Sequence, residues 1–215
     1  MVKAGDVSLP GDLNMPEGAV SIVVFAHGSG SSRRSPRNRF VAQKLNERCH
    51  ATLLFDLLTP EEELVDMRTG ELRFNIGFLS RRLTGATEWL WNEPLTGNLR
   101  TGYFGASTGA AAALTAAVRF GDRIGAIVSR GGRPDMARGL PDVVAPTLLL
   151  VGSRDYPVIE MNREAYELMN AKRELTIVPG ATHLFEEPGT LEQVAELAGS
   201  WFDTYLEPRC DPAPE

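Results

Sequence analysis

The chain has 215 residues, of which 43% are hydrophobic and 23% charged, which is enough apolar content for one domain with a substantial core. Acidic residues outnumber basic ones by 28 to 22, and the formal net charge of −6 argues against nucleic acid as a partner. The first residues lack an apolar leader, and no stretch reaches the roughly 18 apolar residues of a membrane span. We therefore expect a cytoplasmic location and no membrane contact. The sequence leaves open whether the protein forms a homo-oligomer.

Apolar runs typical of strands alternate along the chain with stretches typical of helices. Strands are predicted near residues 20–26, 51–55, 99–104, 124–129, 146–151 and 175–178, and helices near 37–48, 74–92, 108–120, 160–170 and 190–206. Residues 7–15 add an antiparallel edge strand, because their prolines suit an edge. The alternation predicts the α/β class, with a mainly parallel sheet of six or seven strands and helices on both faces. Residues 1–206 are expected to form one domain and residues 207–215 a flexible tail.

Cysteine and histidine are scarce. The two cysteines, Cys49 and Cys210, cannot form a disulfide framework, and we expect both to be free thiols. The three histidines are scattered, so none belongs to a cluster with the spacing of metal ligands. No metal and no organic cofactor is expected.

The segment Gly105-Ala106-Ser107-Thr108-Gly109 lies between a predicted strand and an alanine-rich predicted helix. A sharp turn between a strand and a helix exposes a serine hydroxyl beside a base, which is what nucleophilic catalysis requires. Gly105 and Gly109 lack the Cβ atoms that would clash where strand and helix pass closest. Ser107 is therefore the candidate nucleophile. The alternative is a serine that only caps the helix.

Each of the three histidines has a different setting. His50 ends a helical stretch, which is the place of a surface or helix-ending histidine, and we expect it to be structural. His27 begins the loop His27-Gly28-Ser29-Gly30 after a strand, where Gly28 and Gly30 allow close backbone approach, and it is expected to orient that loop. His183 follows the last predicted strand, so its ring can reach over the carboxyl end of the sheet. We take His183 as the general base.

A catalytic acid is expected after another strand, between the serine and the histidine, where it can accept the imidazole Nδ1 proton. Asp155 fits, because it comes four residues after the strand that ends at Val151. Asp135 and Asp142 compete with it but fall in a connection rich in glycine and proline. Acyl transfer also needs backbone donors for the developing negative charge, and Thr108 and Ser29 are the candidate oxyanion-hole N–H groups.

Charged residues near these loops have two explanations each. Arg130 directly follows a predicted strand and either anchors an anionic substrate or forms an internal ion pair, with Asp56 as a candidate partner. Four further arginines follow the loop at His27 and suit either an anion site or, with more weight, a solvated helix start; they are Arg33, Arg34, Arg37 and Arg39. The segment 59–73, with three consecutive glutamates, either walls the site or forms a solvated loop.

Together these motifs resemble those of α/β-hydrolases of the dienelactone-hydrolase-like group, over residues 20 to about 206. The chain order Ser107, Asp155, His183 is the order of that fold. The resemblance implies an α/β-hydrolase fold, and the 16-residue connection from Arg130 to Ala145 leaves no room for a cap domain. Dienelactone hydrolases proper carry a cysteine nucleophile, whereas this chain has Ser107, so their lactone substrates are not transferred.

These residues predict a serine hydrolase that cleaves carboxylic esters of small substrates through an acyl-enzyme. The partner is then a small-molecule ester in an open site. Three alternatives use the same residues or the same fold: a thioesterase or acyltransferase, a lactone hydrolase, and a binding or regulatory protein with weak turnover.

Overall fold

The computed structural model describes residues 1–206. The first two strands, β1 (Val2–Ala4) and β2 (Val7–Leu9), form a separate antiparallel hairpin. Seven further strands form the central sheet: β3 (Gly11–Asn14), β4 (Ser21–Ala26), β5 (His50–Phe55), β6 (Arg100–Ala106), β7 (Ile124–Arg130), β8 (Thr147–Gly152) and β9 (Arg173–Val178). Their spatial order is β3-β5-β4-β6-β7-β8-β9. Strand β3 pairs antiparallel with β5, and the other pairs are parallel.

Helices cover both faces of this sheet. They are α1 (Pro36–Asn46), α2 (Pro60–Thr69), α3 (Ile76–Asn92), α4 (Thr108–Phe120), α5 (Tyr156–Leu168) and α6 (Thr190–Leu206). Helices α1 and α6 pack on one face, α3 and α4 on the other, and α5 against β8 and β9. Strand β4 is buried along its whole length, as expected for a central parallel strand covered on both faces. The predicted mainly parallel sheet with helices on both faces is confirmed.

The connection between β7 and β8 holds two short 3₁₀ turns, at residues 134–136 and 140–142. Within the described residues no cap domain is inserted there, as the resemblance implied. No helix in this part of the chain combines the length and the apolar character that crossing a membrane requires.

The structure differs from the sequence-based expectations at several places. Helix α2 occupies most of the segment expected to be a loop, and α5 begins at Tyr156, four residues early, because Pro157 suits the first turn of a helix. Residues 7–15 form parts of two strands instead of one. Cys49 is disulfide-bonded, so the expectation of a free thiol there is wrong. The expectations for Cys210 and for a flexible tail at 207–215 lie outside the described residues.

Helix α2 buries a charged residue and exposes apolar ones, which is the reverse of the usual distribution. Its one buried residue is Asp66, whereas Leu64 and Met67 are 68% and 71% exposed. The helix begins with a capping box, in which the Thr59 hydroxyl accepts from the Glu62 N–H and the Glu62 carboxylate accepts from the Thr59 N–H. The Asp66 carboxylate accepts the Arg73 Nε–H and two backbone N–H groups. These contacts lie within α2 and the segment that follows it, and the ion pair of Glu62 with Arg82 connects α2 to α3.

Candidate active site

Ser107 lies between the end of β6 and the start of α4, in a backbone conformation that non-glycine residues rarely adopt. Its φ and ψ are 51° and −122°. Such a conformation costs on the order of 1–3 kcal/mol and persists only where surrounding structure holds it. The Ser107 N–H donates to the Arg130 carbonyl oxygen at 3.3 Å, and the Arg133 N–H donates to the Ser107 carbonyl oxygen at 3.1 Å. The end of β7 and the segment after it thus hold the strained serine in place. The Ser107 side chain makes no cap hydrogen bond to α4.

The two glycines that flank Ser107 lie against different neighbours. A Cβ on Gly105 would collide with the backbone of Ala110 in α4, whereas a Cβ on Gly109 would collide with the carbonyl oxygens of Ala26 and His27 at the end of β4. Gly105 therefore lets strand and helix approach, as the sequence predicted. Gly109 instead lets the helix approach the loop that begins at His27.

His183 and Asp155 form a hydrogen-bonded pair. The His183 Nδ1–H donates to Asp155 Oδ2 over 2.6 Å. The side chain of Asp155 is 12% exposed and that of His183 40% exposed. Asp155 is the residue before α5, yet its carboxylate makes no cap hydrogen bond to that helix. Asp155 therefore binds His183 in place of the helix N-terminus. A carboxylate bonded to one ring nitrogen holds the imidazole in one orientation.

The loop that carries His183 is held against the end of β8. The Arg154 N–H donates to the Ala181 carbonyl oxygen at 2.9 Å. A Cβ on Gly152 would lie 2.5 Å from the same oxygen, so only glycine permits this approach. The His183 ring also lies over Gly131, since a Cβ there would be 3.6 Å from His183 Cε1. Because Gly131 follows Arg130, whose carbonyl oxygen binds the Ser107 N–H, the imidazole and the serine lie at the same end of the sheet.

The loop after β4 passes directly beside the serine. A Cβ on Gly28 would lie 3.0 Å from the Ser107 Cβ, which only a neighbour that moves could tolerate. Ser29 and Thr108 border one pocket, and neither backbone N–H is a hydrogen-bond donor to another group of residues 1–206. Both N–H groups are therefore available as the candidate oxyanion-hole donors that the sequence predicted.

His27 connects that loop to the segment after β5. It is buried, its Nδ1–H donates to the Gly28 carbonyl oxygen at 2.9 Å, and its Nε2 accepts the Leu57 N–H at 3.0 Å. This bonding requires the neutral ring, and burial lowers the pKa of His27 below its ordinary value. His27 therefore has the surroundings of an orienting residue.

His50 belongs to a separate relay at the opposite edge of the sheet. Its Nδ1 lies 2.8 Å from the Ser21 Oγ, and its Nε2 lies 3.0 Å from Asp203 Oδ1. Although these are the residue types of a triad, Ser21 and His50 are 0% exposed and no substrate can reach the hydroxyl. The relay links β4, β5 and α6. The expected structural role of His50 agrees with these bonds, whereas the expected position at the surface or at a helix end is wrong, because His50 begins a buried strand.

Charged residues line the pocket beside the loop His27-Gly28-Ser29-Gly30, and three of them belong to segment 59–73, for which the sequence left open either a wall of the site or a solvated loop. The pocket is small, about 30 Å³, and its walls include Asp56, Glu63, Asp66 and Arg73 with the apolar Leu57, Leu58 and Leu79. The signal that would have placed α2 here is Thr59-Pro60-Glu61-Glu62, a helix start with a capping residue, a proline and a glutamate. Nothing comparable in the sequence points to Asp66.

Asp56 does not pair with Arg130. It accepts from both the backbone and the guanidinium of Arg33, so the suggested internal ion pair of Arg130 with Asp56 is not formed. Arg37 pairs with Glu186 at 2.8 Å, and Arg34 and Arg39 are exposed. The first arginines after the loop thus contact different partners and do not form one cluster.

Comparison with known proteins gives strong matches to one solved structure and to two curated proteins. A crystal structure of dienelactone hydrolase from Anabaena variabilis is 58% identical, with a TM-score of 0.94, over 95% of this chain and 95% of that one. Two Mycobacterium tuberculosis proteins, whose name proposes a phosphoribosyl transferase, are 56% identical over 214 residues, which is 99% of this chain and 47% of theirs. The chain therefore spans about half the length of these curated relatives.

More distant structures share the fold. Est1E from Butyrivibrio proteoclasticus is 16% identical, with a TM-score of 0.78, over 96% of this chain and 98% of that one. No family model matches the chain.

Proposed function

Since the chain belongs to the dienelactone hydrolase family of α/β-hydrolases, we propose that it is a serine esterase that hydrolyses small carboxylic esters through an acyl-enzyme. The observation that carries the proposal is the 2.6 Å bond between His183 and Asp155, at the sheet edge where Ser107 is held in a strained turn. The proposal includes a small-molecule ester as the partner and the cytoplasm as the location.

In the first half of the reaction, the His183 Nε2 takes the proton of Ser107 as its Oγ attacks the ester carbonyl. Asp155 accepts the Nδ1–H, which leaves Nε2 free as the base and stabilises the imidazolium that forms. The Ser29 and Thr108 N–H groups receive the oxyanion of the tetrahedral intermediate. His183 then gives its proton to the leaving alcohol, and an acyl-Ser107 remains.

In the second half, His183 removes a proton from water, and the resulting hydroxide attacks the acyl group. The second tetrahedral intermediate collapses, Ser107 regains its proton, and the acid leaves. Short acyl groups are favoured, because a long acyl chain needs an apolar tunnel to bury it. Among the described residues, the connection between β7 and β8 carries no cap domain that would form such a tunnel, and the pocket is small.

Phosphoribosyl transfer is not proposed for this chain. The relatives whose name proposes it carry more than half of their length outside the matched region. The groups brought together here, a strained serine and a histidine–carboxylate pair, are those of acyl chemistry.

The test is labelling with a fluorophosphonate, followed by peptide mass spectrometry. We expect one adduct on Ser107, none in Ser107→Ala, and normal labelling in the control Ser200→Ala, whose hydroxyl lies on the exposed side of α6. Turnover of 4-nitrophenyl acetate should fall about 10⁶-fold in Ser107→Ala, by analogy with other triads. A folded wild type that takes no label would overturn the proposal.

Product analysis separates hydrolysis from transfer. With methanol or a small thiol added, an esterase releases mainly the free acid. Predominant methyl ester or thioester at millimolar acceptor would instead identify a transferase that uses the same acyl-enzyme.

A further inference from the structure

Asn162 is a fully buried polar residue on the apolar face of α5. It is 0% exposed, and the other buried residues of this helix, which share its face at helical spacing, are Val158, Ile159 and Ala165. Burial of a side-chain amide is costly unless the amide forms hydrogen bonds. The contribution of Asn162 to the protein therefore depends on the bonds that it makes.

The Asn162 side chain donates two hydrogen bonds from Nδ2. One goes to the Val158 carbonyl oxygen of the same helix at 2.8 Å, and the other goes to the Gly132 carbonyl oxygen at 3.0 Å. Since Oδ1 has no partner within residues 1–206, the amide acts there as a donor alone. No other group in this part of the chain donates to the Gly132 oxygen. Asn162 therefore connects α5 to the segment that follows β7.

The peptide unit that Asn162 binds is also the one that binds the serine. Its C=O comes from Gly132 and its N–H from Arg133, and this N–H donates to the Ser107 carbonyl oxygen at 3.1 Å. A peptide unit is planar, so its C=O and its N–H turn together. A bond accepted at the C=O also polarises the N–H and strengthens its own bond. One rigid group is thus held by Asn162 at one end and holds Ser107 at the other.

Helix α5 is also the helix that follows the candidate acid. Asp155 directly precedes α5, and Asn162 lies seven residues later, about two turns along the same face. The Asp155 carboxylate binds His183. The Asn162 amide binds the peptide unit that holds Ser107. One helix is therefore connected to both the base and the nucleophile.

We propose that Asn162 is a positioning residue, which holds Ser107 at the correct distance and angle from His183. This rests on the proposed esterase activity and adds a residue that touches neither the substrate nor the reacting atoms. The strained backbone of Ser107 persists only where its neighbours hold it, and the peptide bound by Asn162 supplies one of the two bonds by which residues 130–133 do so. Without the amide, the buried Gly132 oxygen has no donor, so the peptide turns and the serine shifts.

The first test compares Asn162→Ala with the matched control Thr87→Ala. Thr87 is also 0% exposed within a helix, its hydroxyl donates to the carbonyl oxygen four residues earlier, and it bonds a group outside the helix, the Tyr103 hydroxyl. Both variants should lose similar amounts of melting temperature. For 4-nitrophenyl acetate we expect kcat to fall about 10²-fold in Asn162→Ala with KM within about twofold of the wild type, and neither to change in Thr87→Ala. Equal kcat in the two variants would show that Asn162 is only structural.

The variant Asn162→Leu excludes water from the space that alanine leaves. A water molecule in that space can take over the bond to the Gly132 oxygen, so we expect kcat in Asn162→Leu to be at least as low as in Asn162→Ala. Wild-type kcat in Asn162→Leu would overturn the proposal.

Hydrogen exchange measured by NMR gives a readout that does not depend on turnover. The Arg133 amide should exchange at least about tenfold faster in Asn162→Ala than in the wild type, and at the wild-type rate in Thr87→Ala. An active wild type with unchanged exchange at Arg133 in Asn162→Ala overturns the positioning role alone. A folded wild type that takes no fluorophosphonate label and shows no turnover overturns the esterase proposal as well.

Discussion

Replacement of Gly109 by alanine should destabilise the protein, although helix propensity alone predicts the opposite. Gly109 is the second residue of α4, and its added Cβ would lie 2.5 Å from the His27 carbonyl oxygen and closer still to that of Ala26. Ordinary contact begins at 3.4 Å, so the His27 carbonyl oxygen must move away by about 0.9 Å and that of Ala26 by more. Overpacking of this kind costs about 1–3 kcal/mol, against up to about 1 kcal/mol gained from replacing glycine in a helix.

Gly77→Ala is the matched control. Gly77 is the second residue of α3, and its Cβ would meet only side-chain atoms at 3.7 Å and 3.8 Å. In urea unfolding followed by tryptophan fluorescence, we expect Gly77→Ala to raise the free energy of unfolding by about 0.5–1 kcal/mol and Gly109→Ala to lower it. Under the proposed chemistry, a 1 Å displacement of the loop at His27 also costs about 10²-fold in turnover. Equal stability of the two variants would refute the packing argument.

Three further outcomes are expected. Asp155→Asn should lower kcat for 4-nitrophenyl acetate about 10⁴-fold with little change in melting temperature, by analogy with other triads; a loss under tenfold would exclude Asp155 as the orienting acid. Burial lowers the pKa values of His27 and His50 below their ordinary 6.5, so the unfolded chain binds more protons. Stability measured by urea unfolding should therefore fall as the pH drops below about 6.5, and less steeply in His50→Gln, whereas an identical slope would contradict this linkage. Asp66→Asn should increase proteolytic cleavage within residues 60–74 while global unfolding barely changes; an unaltered digestion pattern would show that other contacts hold α2.

The order of strands and helices could be predicted because each element has the pattern its environment requires. Strand β4 is a continuous apolar run buried on both faces, and α4 is rich in alanine and fully packed. The candidate triad was found because each member follows a strand. Helix α2 was missed because Leu64 and Met67 face solvent, so its apolar residues carry no sign of a core-facing stripe.

Pairings between distant residues were the least predictable. The sequence suggested Asp56 as an ion-pair partner of Arg130. Asp56 instead lies beside the loop that carries Arg33 and binds that arginine. The local setting of His50 predicted a structural residue at the surface or at a helix end, but it could not identify the partner Asp203, which lies 153 residues further along the chain. Contacts of this kind depend on where helices pack in space, and local patterns do not encode that.

Because polar contacts hold α2 in place, the residues that line the pocket on this helix are different from the residues that form the hydrophobic core. Leu64 and Met67 are exposed and lie outside the hydrophobic core, whereas Glu63 and Asp66 line the pocket beside the loop that begins at His27. A combinatorial library over residues 60–69 that retains Glu62 and Asp66 would therefore vary a wall of the pocket while most of its members still fold. Under the proposed esterase activity, the helix is the place to alter substrate preference, since its sequence can diverge without repacking the sheet.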